Sequence, residues 1–309
     1  MKLKYRILWI ENDEDWVESI EDQIQDYLDD LGFNYEKTLI GKEEVGIDYN
    51  LFDLVLMDLN LAEQPNGAEL ISKIRNLGVY TDVVFYSADG VNKLKTKSGE
   101  NGLEGVYFSD RTPDTSFIKK VKVVIDSTIK KIQDLSNLRG LVMAEVSELD
   151  NRMLLMIDSY FIQKASEEKT KKFKKHLVYD IERNTKNKLN PSNNCDKQCK
   201  HKWEEAAIQD IIKDFDFDSS RKARAIKLII DLETIPYDAK NGNFYEDYRI
   251  DMLLMRNNLA HCASTIRYGK EVLIVKNEAV EFDEQSFKDI RNKIKGYNLL
   301  FDSIETRIG

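Results

Sequence analysis

The stretch Met255–Cys262, MRNNLAHC, brings together residue types that can act on a phosphodiester. Asn257 and His261 are four residues apart and therefore share one face of a helix, and Arg256 stands next to Asn257. Histidine titrates near neutral pH and can move a proton, whereas arginine stays charged and can stabilise phosphorane oxygens. The competing interpretation is an ordinary polar helix face with a structural histidine.

A second group of candidates follows three apolar runs in the first part of the chain. Glu11 and Asp13 come after RILWI, Asp58 ends DLVLMD, and Ser87 ends VVFYS. Clustered carboxylates suit Mg²⁺, and a carboxylate beside such an ion can accept a phosphoryl group. A neighbouring serine hydroxyl can then hydrogen-bond the new phosphate. The alternative is a solvated acidic loop together with a helix cap.

The elements that must position these acids alternate along the chain. Apolar runs typical of buried strands are separated by stretches with helical spacing of apolar residues. The strand candidates are RILWI, FDLVLMDL, DVVFYSA and EGVYFS. This alternation predicts an α/β fold with a doubly wound, parallel, five-stranded sheet, in which the carboxyl ends of the strands converge on a site.

The remainder of the chain predicts a different architecture. Gly140 is the only glycine between Ser116 and Lys175, and no proline occurs there, so one long helix or two nearly continuous helices are expected. KEVLIVKNEAVEFD predicts a hairpin around Asn277-Glu278. We therefore expect a first domain over 1–133 and a mainly α, helical-bundle domain with a small hairpin over 134–309.

The acidic cluster and its strands resemble the receiver domain of two-component response regulators, over roughly residues 4–132. The resemblance implies that Asp58 is the phosphoacceptor and Ser87 the switch hydroxyl. It also implies that Glu11 and Asp13, with Asp58, hold Mg²⁺, and that a histidine kinase or another phosphodonor is a partner.

Two positions depart from the receiver pattern. Asn12 fills the second acidic position of the usual pair, and the lysine that usually follows the fifth strand is missing, with Arg111 the nearest cation. Either change is expected to weaken phosphotransfer, so a receiver that only mediates contacts stays open as an alternative.

The spacing of Arg256, Asn257 and His261 resembles the signature of the HEPN superfamily, many of whose members are ribonucleases. The resemblance covers about half the chain and implies a homodimer with two motifs facing one cleft. It also implies metal-independent RNA cleavage through 2′-hydroxyl attack, with no cofactor. His261 would be the general acid/base, and Arg256 would stabilise the transition state. Asn257 would orient the imidazole or the phosphate.

Composition limits the choice of partners. The net charge of −9 argues against generic DNA coating, and the acidic excess lies within residues 1–133. The segment 164–202 is locally basic and is the candidate for RNA backbone contacts. Cys195, Cys199 and His201 have a spacing that could begin a zinc site, but a flexible basic insertion fits them better.

No apolar run approaches the length of a membrane span, and three cysteines in all favour a reducing cytoplasm over a disulfide framework. No secretory signal is recognisable at the start. The chain is thus expected to be a cytoplasmic, receiver-controlled endoribonuclease. Its rival is a non-enzymatic signalling adaptor whose helical domain binds protein. A DNA-binding transcription factor is weaker, because no helix-turn-helix is recognisable.

Overall fold

The structure, a computed structural model, describes residues 3–188, 206–214, 217–267 and 270–308. Within these ranges no helix is both long enough and apolar enough to cross a bilayer. The zinc candidates of the sequence lie outside the described residues: Cys195, Cys199 and His201.

The chain divides into two compact units. The first comprises Met1–Leu138 together with Phe282–Asn292, and the second comprises Arg139–Glu281 together with Lys293–Gly309. The first unit thus takes in a short segment near the end of the chain that the sequence expectation assigned to the second domain.

The first unit is built on five parallel strands in the order β2-β1-β3-β4-β5. The strands β3 and β4 are buried along their whole length, as expected for the centre of a sheet that is covered on both faces. The prediction of a doubly wound parallel sheet is confirmed. The strands are β1 (Lys4–Ile10), β2 (Asn34–Ile40), β3 (Leu54–Asp58), β4 (Val83–Ser87) and β5 (Val106–Asp110).

Two hydrophobic cores cover the two faces of this sheet. Alternate residues of each strand point to opposite faces, so Trp9 lies in one core, where Phe117 packs against it, and Met57 and Phe85 lie in the other. The helices that complete them are α1 (Glu14–Ile20), α2 (Asp22–Asp30), α3 (Gly67–Asn76), α4 (Val91–Asn101) and α5 (Asp114–Ile132).

The second unit is mainly helical, as predicted. Stacked and edge-on aromatic rings fill its centre, with Phe244 against Tyr248 and Tyr297, and Tyr248 against Phe301. Two single π-helical turns interrupt the helices, at Tyr160–Lys164 and Arg249–Leu254. The helices, of which α6 and α12 begin in the first unit, are α6 (Leu135–Ser159), α7 (Glu167–Lys188), α8 (Ile208–Lys213), α9 (Ser219–Leu232), α10 (Phe244–Tyr248), α11 (Met255–His261) and α12 (Glu284–Ile308).

A small antiparallel sheet follows α11, with strands β6 (Ser264–Arg267), β7 (Lys270–Val275) and β8 (Glu278–Glu281) in that order. The predicted hairpin is present, but its turn is one residue earlier than expected. Lys276 and Asn277 form the two-residue turn, because both have positive φ, 50° and 70°, as a type I′ turn requires. Glu278 already pairs with Val275.

A buried carboxylate anchors the loop that precedes α10. Asp247 is 1% exposed and accepts hydrogen bonds from the Tyr237 hydroxyl at 2.8 Å, the Lys240 amide at 3.0 Å and the Asn241 amide at 2.7 Å. The side-chain amide of Asn241 adds a fourth bond at 2.8 Å. Burial raises the pKa of Asp247, but these donors outweigh it and hold that pKa below its ordinary value.

A buried arginine explains why the start of α12 belongs to the first unit. Arg291 is 1% exposed, and its Nε donates to the Leu31 carbonyl at 2.7 Å while its guanidinium covers the Phe33 ring at 4.6 Å. Gly32, with φ of 80°, allows this approach, since a Cβ there would lie 2.6 Å from the Arg291 Cβ. Burial lowers the pKa of Arg291 to about 10.

Candidate functional site

The carboxyl ends of the central strands bring three of the predicted site residues together. Glu11 follows β1, Asp58 ends β3 and Ser87 ends β4, and the three are 1%, 3% and 0% exposed. The parallel register aligns these ends, because Ile10 pairs with Met57, the residue before Asp58. These three side chains therefore form a buried cluster at the carboxyl edge of the sheet.

The surroundings of Asp58 make its ionised form unfavourable. Burial, followed by the negative charge of Glu11, raises its pKa from 3.8 to about 6. The Asn60 amide, which donates to Asp58 Oδ2 at 2.7 Å, and the charge of Arg111 act in the opposite direction. Helix α3 begins directly against this residue, because a Cβ on Gly67 would lie 2.0 Å from the Asp58 carbonyl oxygen.

Glu11 is held by hydrogen bonds to both of its carboxylate oxygens. Oε1 accepts the Asp13 amide at 2.9 Å, and Oε2 accepts the Tyr86 hydroxyl at 3.1 Å. That hydroxyl in turn accepts Trp9 Nε1 at 2.8 Å. Burial raises the pKa of Glu11 despite these donors, so a proton or a cation near this carboxylate is favoured.

Asn60 links the acid to the predicted switch hydroxyl. Its backbone amide binds Asp58, and its Nδ2 donates to Ser87 Oγ at 3.3 Å and to Asp89 Oδ2 at 3.0 Å. The Asp89 amide also donates to Ser87 Oγ, at 3.1 Å. Sequence reasoning missed Asn60, although its position two residues after the strand-end acid was a usable signal.

Arg111 lies inside the acidic site, where the sequence had identified it only as the nearest cation. Its guanidinium binds Asp13 Oδ2 at 2.5 Å, lies 3.8 Å from Glu11 Oε2 and covers the Trp16 ring at 4.2 Å. The side chain is 18% exposed. The site therefore already contains one fixed positive charge.

The oxygen donors of the site suit a hard cation such as Mg²⁺ in their chemistry. Asp13 is already engaged on both oxygens, since Oδ1 accepts the Trp16 amide at 3.1 Å and Oδ2 binds Arg111. Among the described residues, no group of three or more His, Cys, Asp or Glu side chains is arranged to hold a metal. Of the three predicted carboxylates, Asp13 has the close ion pair with Arg111, so Glu11 and Asp58 are the better candidates to hold an ion.

In the second unit, Arg256 is half-buried and points toward α6 and the start of α9. Its NH1 donates to Ser219 Oγ at 3.3 Å and lies 3.8 Å from Asp150 Oδ2, and Ser219 also binds Asp150. Burial raises the pKa of Asp150, although Ser219 and Arg256 oppose that effect. Sequence reasoning did not identify Asp150 or Ser219, which are far from the motif along the chain.

Asn257 and His261 both lie exposed on α11. Arg256 reaches one of them, with NH2 donating to Asn257 Oδ1 at 3.3 Å. Within the described part of the chain, His261 forms no hydrogen bond or ion pair. A further cation, Arg139, donates to the Cys262 carbonyl at 3.0 Å and so lies at the end of the same helix.

Apolar side chains extend this exposed face toward the amino terminus. Ile250 and Leu254 lie on the π turn before α11 and are 38% and 43% exposed. With Asn257 and His261 they follow a spacing of three or four residues, which places them on neighbouring turns of one face. The motif thus borders an apolar strip of the surface.

The described part of the basic segment is partly neutralised within its own unit. Lys169 binds Glu233 at 2.5 Å, and Lys171 binds Glu167 at 2.8 Å. Exposed ion pairs of this kind contribute little to stability, but they reduce the charge available to a polyanion.

No family model matches the chain, and no curated protein matches it. Among solved structures, the chain is similar to a two-component response regulator from Clostridium difficile, with 17% identity, a TM-score of 0.33, and 42% of this chain and 100% of that one covered. It is also similar to the receiver domain of Francisella response regulator 1452, with 16% identity, a TM-score of 0.32, and 41% and 98% covered. The strand order β2-β1-β3-β4-β5 by itself gives the first unit the doubly wound, flavodoxin-like fold, which receiver (CheY-like) domains share.

Proposed function

We propose that this protein is a receiver-controlled, metal-independent endoribonuclease that acts as a homodimer. Arg256, Asn257 and His261 form the cleavage site, and Asp58 is the phosphoacceptor that controls it.

One observation carries the ribonuclease proposal: two of the three motif side chains, Asn257 and His261, are exposed to solvent and not packed in the core. A structural histidine is normally buried or hydrogen-bonded, whereas His261 and Asn257 are exposed together on one face of α11. Arg256 is held in a defined position by Ser219 and Asp150, so its guanidinium is oriented before any substrate arrives.

The homodimer is supported by the apolar strip beside the motif. Exposed Ile250 and Leu254 gain by leaving water, and a second copy that packs on them brings two His261 side chains into one cleft. Such a pair meets the need for two proton transfers in one cleavage step.

The chemistry follows from these roles. One His261 imidazole takes the proton from the RNA 2′-hydroxyl, whose oxygen attacks phosphorus while the bond to the 5′-oxygen breaks. The second imidazole, protonated, gives its proton to the leaving 5′-oxygen. Arg256 stabilises the charge on the equatorial oxygens, and Asn257 orients the phosphate or the imidazole. The products are a 2′,3′-cyclic phosphate and a 5′-hydroxyl.

Control begins at the receiver site. Asp58 accepts phosphate from a histidine kinase or another phosphodonor, and Ser87, linked to it through Asn60, binds the new phosphate. Mg²⁺, held by Glu11 and Asp58, would supply charge neutralisation at that step when bound.

The test compares purified wild type with His261→Ala on total RNA and transfer RNA in EDTA, followed by mapping of the cut ends. His176→Ala is the matched control, because it removes an exposed histidine from α7 of the same unit. Cyclic phosphate ends produced by wild type and by His176→Ala, and not by His261→Ala, are the expected result. A dimeric wild type that cuts nothing, with or without phosphorylation of Asp58, would refute the enzyme.

A second function, a non-enzymatic signalling adaptor, is favoured by one contact. The guanidinium of Arg256 is engaged by Asp150 and Ser219, as a purely structural arginine would be. An adaptor keeps its cellular effect when His261 is changed to alanine. A ribonuclease slows growth on overexpression and loses that toxicity with Arg256→Ala or His261→Ala.

A further inference from the structure

We propose that Arg111 is a built-in counter-ion of the acidic site and competes there with a divalent cation. The guanidinium occupies the neighbourhood of Glu11 and Asp58 in the resting protein, and Mg²⁺ binds strongly only when Arg111 moves away. This inference rests on the receiver part of the proposed function and is independent of the ribonuclease.

Three contacts on different sides hold the guanidinium. Asp13 binds it at 2.5 Å, Glu11 lies 3.8 Å from it, and the Trp16 indole stacks on it at 4.2 Å. Trp16 is itself fixed, since its Nε1 donates to Asp114 at 3.0 Å. Planar stacking combined with paired donors is a property of arginine that lysine does not share.

The charges of the site explain why a fixed cation is needed. Glu11 and Asp58 are almost fully buried, and two buried carboxylates without a positive neighbour are strongly unfavourable. Lys93 is paired with Asp89 at 2.6 Å, the residue that also accepts the Asn60 side-chain amide. Arg111 therefore supplies the positive charge that holds the acidic pair together.

The same charge opposes a metal ion. A divalent cation on Glu11 and Asp58 would face the guanidinium across a few ångströms, where like charges in a partly buried site repel strongly. The charge of Asp13 is already offset by Arg111 at its Oδ2, so Asp13 attracts a second cation less strongly. Binding of Mg²⁺ and full seating of Arg111 therefore exclude each other.

The experiment measures Mg²⁺ affinity of the full-length chain by isothermal calorimetry and by tryptophan fluorescence. Wild type is compared with Arg111→Ala and with Arg6→Ala. The control removes the same charge, but Arg6 pairs with Glu36 on strands β1 and β2, near their opposite ends. We expect Arg111→Ala to bind Mg²⁺ at least about tenfold more tightly than wild type. Arg6→Ala should bind as wild type does.

Fluorescence supplies an independent readout. Mg²⁺ should change the emission of wild type as Arg111 leaves Trp16, and this change should be absent in Trp16→Phe and in Arg111→Ala. Arg111→Lys keeps the charge but loses the stacking, so its affinity should fall between wild type and Arg111→Ala.

Equal Mg²⁺ affinity in wild type and Arg111→Ala, or no Mg²⁺ binding by a folded Arg111→Ala, would overturn the inference. Near-ultraviolet circular dichroism establishes that the variant is folded, and Arg111→Lys repeats the comparison with a smaller change. Phosphorylation of Asp58 by a small phosphodonor is measured separately. A protein that is never phosphorylated but gains Mg²⁺ affinity in Arg111→Ala refutes the receiver chemistry and leaves the counter-ion role standing.

Discussion

Replacing Asp58 by asparagine should stabilise the first unit at neutral pH, although it removes the central acid of the site. Asp58 is 3% exposed and lies beside the charge of Glu11, and both conditions make its ionised form unfavourable. Asparagine keeps an oxygen that can accept the Asn60 amide, so the backbone contact at 2.7 Å need not be lost. The substitution therefore removes the unfavourable free energy of the buried charge and retains the hydrogen bond with the Asn60 amide.

The size of the effect follows from linkage between protonation and folding. The pKa of Asp58 rises from 3.8 to about 6 in the folded protein, which corresponds to about 3 kcal/mol. Because the folded pKa lies above the unfolded one, the folded state holds the proton to higher pH. Wild type therefore loses stability as the pH rises from about 4 through about 6, and Asp58→Asn does not.

The assay is urea unfolding followed by tryptophan fluorescence, to which Trp9 and Trp16 of the first unit contribute, at pH 8 and at pH 4.5. Asp58→Asn should exceed wild type by about 3 kcal/mol at pH 8 and by only about 1 kcal/mol at pH 4.5. Exposed Asp26→Asn on α2 is the charge-matched control and should change little at either pH. An equal gain at both pH values, or none at pH 8, would refute the reasoning.

Three further substitutions test one close contact in the first unit and one hydrogen-bonded cluster in the second. Gly67→Ala should destabilise the first unit by about 2 kcal/mol or more, because its Cβ would lie 2.0 Å from the Asp58 carbonyl oxygen; circular dichroism melting measures this. Asp247→Asn should destabilise the second unit by about 2–4 kcal/mol in denaturant unfolding at pH 7, since one amide oxygen cannot replace a carboxylate that accepts four bonds. Its lowered pKa means that the wild-type advantage should fade as the pH drops below about 4. Tyr237→Phe removes only one donor and should cost about 1–2 kcal/mol in the same assay, and a loss equal to that of Asp247→Asn would contradict this account.

The central strands were predictable because burial on both faces leaves a continuous apolar run. The edge strand β2 was not singled out, since NYEKTLI carries polar residues and only Ile40 within it is buried. Helix α4 was also missed, because VNKLKTKSGEN has few apolar residues and buries only Leu94 and Ser98. Elements at the periphery of a sheet owe their structure to tertiary contacts that a local pattern does not contain.

In the candidate sites, too, features set by local sequence were predictable, and contacts between distant segments were not. Strand-end positions were sufficient to place Glu11, Asp58 and Ser87 together, because parallel strands bring their carboxyl ends to one edge. The insertion of Arg111 between Asp13 and Trp16 joins two segments that are 98 residues apart along the chain. The partners of Arg256 lie on other helices, so a motif within one helix could not predict them.

The π turn at Arg249–Leu254 has a consequence for the length of the chain. A π turn holds about one residue more than an α turn, so deleting one residue there would restore regular α-helix. Each residue of an α-helix turns it by about 100°, so the same deletion in a regular helix would rotate Asn257 and His261 by that angle relative to Phe244. In the π turn the deleted residue is the extra one, and the rotation is largely absorbed. The face that carries Asn257 and His261 would therefore still meet the solvent with one residue fewer before it.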